Sequence, residues 1–211
     1  MRKSVNLSTN LIEDHVKTKT MVTLGVLASG SGSNLEAIAT AIANGELLAQ
    51  IAVLIYNEPN AFVRQRAEKF GIPAILINHR DYKSRQDLDR KIIEVLQQYQ
   101  VELVIMAGWM RIVTQVLIDA FPDRILNIHP SLLPSFKGNH AIEQAYNYGV
   151  KITGCTVHLL SIEVDSGKIL KQAAVPVLDS DRLEDLQTRI QVQEHIIYPQ
   201  AIAEYMRAIL I

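Results

Sequence analysis

The chain contains one cysteine, Cys155, in 211 residues. That excludes an intrachain disulfide framework and fits a reducing cytoplasm. An excess of charge of one sign is also missing. Lys and Arg number 21 against 22 Asp and Glu, a formal net charge of −1. No global field therefore recruits nucleic acid or an anionic membrane. No apolar run reaches the ~18–20 residues that span a bilayer. Residues 1–20 are polar, without the apolar stretch of a secretory signal, and Glu13 and Asp14 count against a transit peptide. Repeats and low-complexity segments are absent as well. We read residues 1–20 as a disordered tail, with Met21 as a candidate start, and 21–211 as a single domain.

What is present is ordinary for a soluble globular protein: 48% hydrophobic and 20% charged residues. The length suits one sizeable core. Apolar runs at Met21–Ala28, Gln50–Tyr56, Ala74–Ile77 and Val101–Met106 read as strands. Between them, helices are expected at Asn34–Ala43, Ala61–Phe70 and, capped by Ser84, up to Tyr99. A helix over Val113–Ala120 leads to a fifth strand at Arg124–Ile128. This rhythm predicts an α/β fold, a doubly wound, mostly parallel sheet. Strands at Ile152–Leu160 and Ile169–Val177 read as an antiparallel addition. A C-terminal helix is expected from Arg182 to about Ile196, with Pro199 interrupting the last stretch of the chain.

In the fifth strand, Leu126 and Ile128 share one face, and Asn127 and His129 the other. Pro130 ends the strand there. An amide and an imidazole thus stand side by side at the edge where open α/β sheets bind ligands. The pair suits chemistry at a carbonyl, the amide stabilising an oxyanion and the imidazole moving a proton. The same stretch also reads as a turn whose polar residues tie down backbone.

The first strand runs into Ser29-Gly-Ser-Gly-Ser-Asn34 and then a helix. Gly30 and Gly32 permit positive φ and close approach of a ligand to backbone N–H groups. A helix N-terminus adds free donors and a favourable dipole. No Lys-Ser/Thr pair follows, and Leu35 occupies the third glycine position of a dinucleotide fingerprint. A lone phosphate monoester fits best; a tight βα turn is the bland alternative. His129, His140 and His158 lack a tight ligand spacing, so no metal is expected, and Cys155 reads as a small core residue.

These stretches together resemble the phosphoribosylglycinamide formyltransferase family. The resemblance runs from about Met21 to Arg207 through SGSGSNLEAI, AGWMRIV, NIHPSLLP, GCTVHLLSIEVDSGKIL and VQEHIIYP, in the family's order and spacing. It implies transfer of a formyl group from 10-formyltetrahydrofolate, as co-substrate, to the amine of glycinamide ribonucleotide in purine synthesis. It implies a catalytic Asn127, His129 and Asp165, and phosphate contacts at Gly32, Ser33 and Asn34. Glu194 would lie close to the substrate amine. On the folate side it implies Arg85 for the glutamate tail, and Met110, Arg111, Ile112, Val113 and Asn127 around the pterin. Of Trp109 and Met110, one is expected to pack into the core. His140 and His158 resemble family histidines that support the site.

Two positions depart from the family pattern: Lys168 and Lys137 stand where it has proline. Lys168 should loosen the turn and place a cation near Asp165. Rival readings are a 10-formyltetrahydrofolate hydrolase, an initiator transfer RNA formyltransferase, and a non-enzymatic sensor of a phosphorylated metabolite. The phosphate loop argues against the first two, and the lack of an added nucleic-acid-binding domain against the second. A cytoplasmic monomer or homodimer, working on small molecules without nucleic acid or membrane, is the resulting expectation.

Overall fold

The computed structural model describes residues 21–210. The expected tail over 1–20 and a start at Met21 lie outside the described residues. Strand β1 (Val22–Ala28) shows why the sheet is covered on both sides. Leu24, Val26 and Ala28 enter one core while Leu27 enters another. A strand buried on both faces needs a near-continuous apolar run.

The remaining strands are β2 (Ala49–Tyr56), β3 (Ala74–Leu76), β4 (Leu103–Met106), β5 (Ile125–His129), β6 (Ile152–Leu159) and β7 (Ile169–Pro176). They form one seven-stranded sheet in the order β3-β2-β1-β4-β5-β6-β7. The first five pair in parallel, and β6 and β7 antiparallel, as expected. The chain steps outward from β1 to β3, then returns to lay β4 on the other side of β1. The strand order therefore reverses between β1 and β4, and ligands bind beyond the carboxyl ends of such a reversal.

Helices α1 (Ser33–Ala43), α2 (Val63–Lys69) and α6 (Leu183–Leu210) pack on one face. Helices α3 (Arg85–Gln98) and α4 (Gln115–Ala120) cover the other. Ser84 caps α3 as its sequence position suggests, its hydroxyl accepting from the Asp87 N–H at 3.1 Å. Helix α4 begins two residues later than expected, because Thr114 is its cap.

Two elements differ from expectation. Helix α6 does not stop near Ile196 but continues through Pro199 to Leu210. A mid-helix proline costs about 3 kcal/mol. Beyond His195 the helix buries Ile197, Tyr198, Ala201, Ile202 and Met206. Burying a large apolar side chain yields about 1.5–3 kcal/mol, so the buried face outweighs the proline. The second difference is α5 (Ala141–Tyr148), which has no counterpart among the expected helices. Its ends are left-handed, at His140 (φ 59°) and Gly149 (φ 79°), and it leans Ile142 and Tyr146 on the first core.

Candidate active site

The carboxyl end of β5 carries Asn127 and His129 toward one point, as their shared strand face requires. Antiparallel pairing sets His158 of β6 directly opposite Asn127. His158 is fully buried, with Nδ1 2.8 Å from the Leu159 carbonyl. That contact requires the proton on Nδ1, so Nε2 accepts from the Asn127 amide at 3.1 Å. One amide hydrogen of Asn127 is thereby committed and the other remains available.

His129 is buried, and each ring nitrogen has an oxygen neighbour. Nε2 lies 2.8 Å from the Phe136 carbonyl and Nδ1 3.3 Å from Asp165 Oδ2. A neutral ring donates to one of these; a protonated ring donates to both. Asp165, at φ 50°, comes from the turn between β6 and β7. Its Oδ2 accepts from the Gly138 N–H at 2.8 Å, and Oδ1 is 3.6 Å from His158 Nε2. Burial pushes its carboxyl up, but the Gly138 N–H and the charge on His129 outweigh burial and hold it below the ordinary value. The structure therefore brings Asn127, His129, His158 and Asp165 into one connected cluster.

The Gly/Ser loop after β1 is the second component. Gly32 caps α1 at φ 78°, and an added Cβ there would run into Val63. The loop is held against α2, where Val63 N–H donates to the Gly30 carbonyl and Arg66 Nε to the Ser31 carbonyl. Glu36, in the first turn of α1, would repel an anion at this helix end. Arg66 and Lys69 pair with it and neutralise that charge.

Asn34 is buried, and its amide donates to Glu194 Oε2 at 3.0 Å, joining the loop to α6. Burial pushes the Glu194 carboxyl up, against the opposing effect of that hydrogen bond. A groove of about 800 Å³ between α1 and α6 is walled by Ser33, Glu36, Arg66, Gln191, His195 and Pro199, among others. It adjoins the loop rather than the β5 cluster.

A third component follows β4. The Ser29 N–H donates to the Gly108 carbonyl, and Ser29 Oγ accepts from the Met110 N–H at 2.9 Å. This sews the segment after β4 to the Gly/Ser loop across the strand reversal. Met110 is 74% exposed and Ile112 58%, with Arg111 also exposed. Two apolar side chains held out toward solvent make a ready seat for a flat ring. Trp109 is the neighbour that packs into the core, together with Val113. Arg85 is exposed at the first residue of α3.

Two expectations are corrected. His140 does not join the cluster: it takes positive φ at the start of α5, its side chain is 78% exposed, and it pairs with Glu143. The cation that reaches the Asp165 turn is Lys137, which bonds to Ser166 and lies 3.6 Å from Glu163. Lys168 engages through its carbonyl, which accepts from the Leu159 N–H. Burial pushes the Cys155 thiol up to about 12, so it stays protonated within the core. Among the described residues, no group of three or more His, Cys, Asp or Glu is arranged to hold a metal.

Sequence reasoning missed the Phe136 carbonyl and Gly138 N–H, since backbone groups leave no mark in a sequence. It also missed Arg66 and His195 beside the loop; adjacency to Glu194 was the available signal for His195. Burial and the Arg66 charge both lower the His195 pKa.

A sequence model of the formyl transferase family matches residues 23–202. The phosphoribosylglycinamide formyltransferase of Bacillus subtilis is 40% identical over 186 residues, 88% of this chain and 95% of that protein. The trifunctional purine biosynthetic protein adenosine-3 of Bos taurus is 44% identical over 85% of this chain, which spans only 18% of that longer protein. Among solved structures, glycinamide ribonucleotide transformylase 1 from Symbiobacterium toebii superposes with a TM-score of 0.88 at 46% identity, covering 90% of each chain. Phosphoribosylglycinamide formyltransferase from Bacillus halodurans gives 0.85 at 40% identity, covering 87% of this chain and 95% of that one. No helix among the described residues is long and apolar enough to cross a membrane.

Proposed function

This chain belongs to the formyl transferase family, and from that premise we propose that it moves the formyl group of 10-formyltetrahydrofolate onto the amine of 5′-phosphoribosylglycinamide, a step of purine biosynthesis. The observation that carries the reading is the cluster at the end of β5. An amide donor, an imidazole and a carboxylate meet there within 3.6 Å contacts. The phosphate loop and the exposed Met110 and Ile112 flank it across the strand reversal. These are the parts that acyl transfer between two bound small molecules needs: positioning, an oxyanion partner and a proton carrier.

The ribonucleotide phosphate sits on the backbone of Gly32 and Ser33 with Asn34, and its amine points toward Glu194. The pterin lies on Met110 and Ile112 against the backbone of Arg111 and Val113. The folate's glutamate carboxylate pairs with Arg85, whose planar fork matches it. The substrate amine attacks the formyl carbon directly, forming the new C–N bond without a covalent enzyme intermediate. The carbonyl oxygen becomes an oxyanion, met by the free amide hydrogen of Asn127.

Protonated His129 donates its two N–H groups to the Phe136 carbonyl and to Asp165, so it meets the same oxyanion with its positive charge. Asp165 holds the imidazolium and its orientation. The proton lost by the attacking amine passes, directly or through water, to N10 of the folate. The old C–N bond then breaks and the folate leaves as the free amine.

The test is spectrophotometric. 10-Formyl-dideazafolate and the ribonucleotide are mixed with the full chain, and deformylated product is followed. Product that requires the ribonucleotide supports transfer. Product without it would identify a hydrolase, and no product at all would leave only binding.

A further inference from the structure

We propose that Asp89, which the mechanism above does not use, is a positioning residue for the folate co-substrate. This rests on the reading that the loop after β4 receives the folate. Asp89 lies on α3 and is 2% exposed. Carboxylates are almost never buried to that degree unless they are paired. Its Oδ2 takes two hydrogen bonds from one residue: the Thr114 N–H at 2.6 Å and the Thr114 hydroxyl at 2.7 Å. Thr114 directly follows the Met110–Val113 segment. Its hydroxyl in turn accepts from the Val116 N–H, as the cap of α4.

The loop is therefore pinned at both ends. Ser29 holds the Met110 N–H, and Asp89 holds Thr114. The residues between these pins present Met110 and Ile112 outward, although apolar side chains left free would fold back onto the core. Asp89 also stands one helical turn beyond Arg85, on the same side of α3. The Arg85 charge acts on the Asp89 carboxyl, which burial otherwise pushes up. One buried carboxylate thus ties together the seat of the ring and the residue that meets the tail. It touches neither ligand.

The test compares Asp89→Ala, Asp89→Asn, Thr114→Ala and Thr114→Ser in the full chain. Michaelis constants are measured for 10-formyl-dideazafolate and for the ribonucleotide, with kcat. Folate-analogue binding is read separately from the fluorescence of Trp109, the only tryptophan in the chain. Asp89→Ala should raise the folate KM and Kd on the order of tenfold, the loss expected for charge-assisted hydrogen bonds. The ribonucleotide KM, and kcat at saturating folate, should stay at wild-type values. Thr114→Ser should restore near-normal folate binding, and Thr114→Ala should fall between.

Asp89→Asn keeps the buried volume and carries the same expectation in smaller measure if Asp89→Ala does not fold. Parallel rises in both Michaelis constants would show a merely structural role and overturn the inference. So would an unchanged folate KM. Ile112→Ser separates this failure from that of the underlying reading. If Ile112→Ser raises the folate KM while the Asp89 variants do not, only the role of Asp89 falls. If Ile112→Ser is also silent, the loop is not the folate seat and both fall.

Discussion

Replacing His158 with leucine should weaken catalysis by loosening Asn127 rather than by removing a reacting group. The His158 ring is fully buried and spans the Leu159 carbonyl and the Asn127 amide. Without it, nothing fixes which end of the amide serves the oxyanion. The loss is bounded by one hydrogen bond, about 0.5–1.5 kcal/mol net, or roughly two- to twelvefold in kcat. Removing the donor itself, in Asn127→Ala, should lower kcat by about 10²–10³.

Since His158 acts through Asn127, the double variant should lose no more than Asn127→Ala alone. The assay is kcat with both substrates saturating for both singles and the double, with thermal melts confirming that each variant is folded. A second cycle, with Asp165→Asn, measures the share that runs through the 3.6 Å contact to that carboxylate. Independent, multiplying losses at Asn127 and His158 would refute the tautomer assignment. So would a His158→Leu loss as deep as that of Asn127→Ala.

Three further outcomes are expected. Asp165→Asn should lower kcat about 10²–10⁴-fold with the fold intact, read by initial rates and circular dichroism. Because its folded pKa lies below the ordinary 3.8, the ionised group stabilises the fold above that value. Its contribution is lost as pH falls toward the folded pKa, so the stability gap between wild type and Asp165→Asn should shrink there in urea titrations. Glu194→Gln should raise the ribonucleotide KM while folate binding stays unchanged. The folded pKa of Glu194 is raised above 4.5, so the buried carboxyl costs stability as pH rises past that value; the variant should be the more stable at neutral pH and lose that advantage below 4.5. Tyr198 is fully buried and its hydroxyl lies 3.0 Å from both the Met106 and Leu126 carbonyls. Tyr198→Phe removes the single O–H that these two buried carbonyls share and should cost about 1–3 kcal/mol by urea denaturation.

The β-α rhythm was legible because buried parallel strands need apolar runs, and those runs are local. The facing of Asn127 with His129 was legible for the same reason, since alternation is a property of a single strand. Pro199 misled because the missing N–H is a local fact, whereas the buried face of Ile197, Tyr198 and Ile202 exists only against the sheet. Helix α5 was hidden by its start, where His140 stands in the left-handed region with no side-chain cap. Of the candidate site, the glycine loop and the β5 pair could be read, but not the partners that pin them. The register that sets His158 opposite Asn127 is decided by β6 closing on β5. Asp89 reads as one more acid on a charged helix; only its contact with Thr114, 25 residues away, gives it a task.

Lys137 has a consequence for how this protein should be handled. The segment that supplies the Phe136 carbonyl is fastened to the turn that supplies Asp165 partly by an ammonium group on the surface, with the lysine side chain 37% exposed and Glu163 76% exposed. Surface attractions of this kind fade as dissolved ions accumulate, over a screening length of about 8 Å at physiological strength. A proline hinge would be indifferent to buffer composition; this fastening is not. Rates for the chain are therefore comparable only between solutions of matched ionic strength.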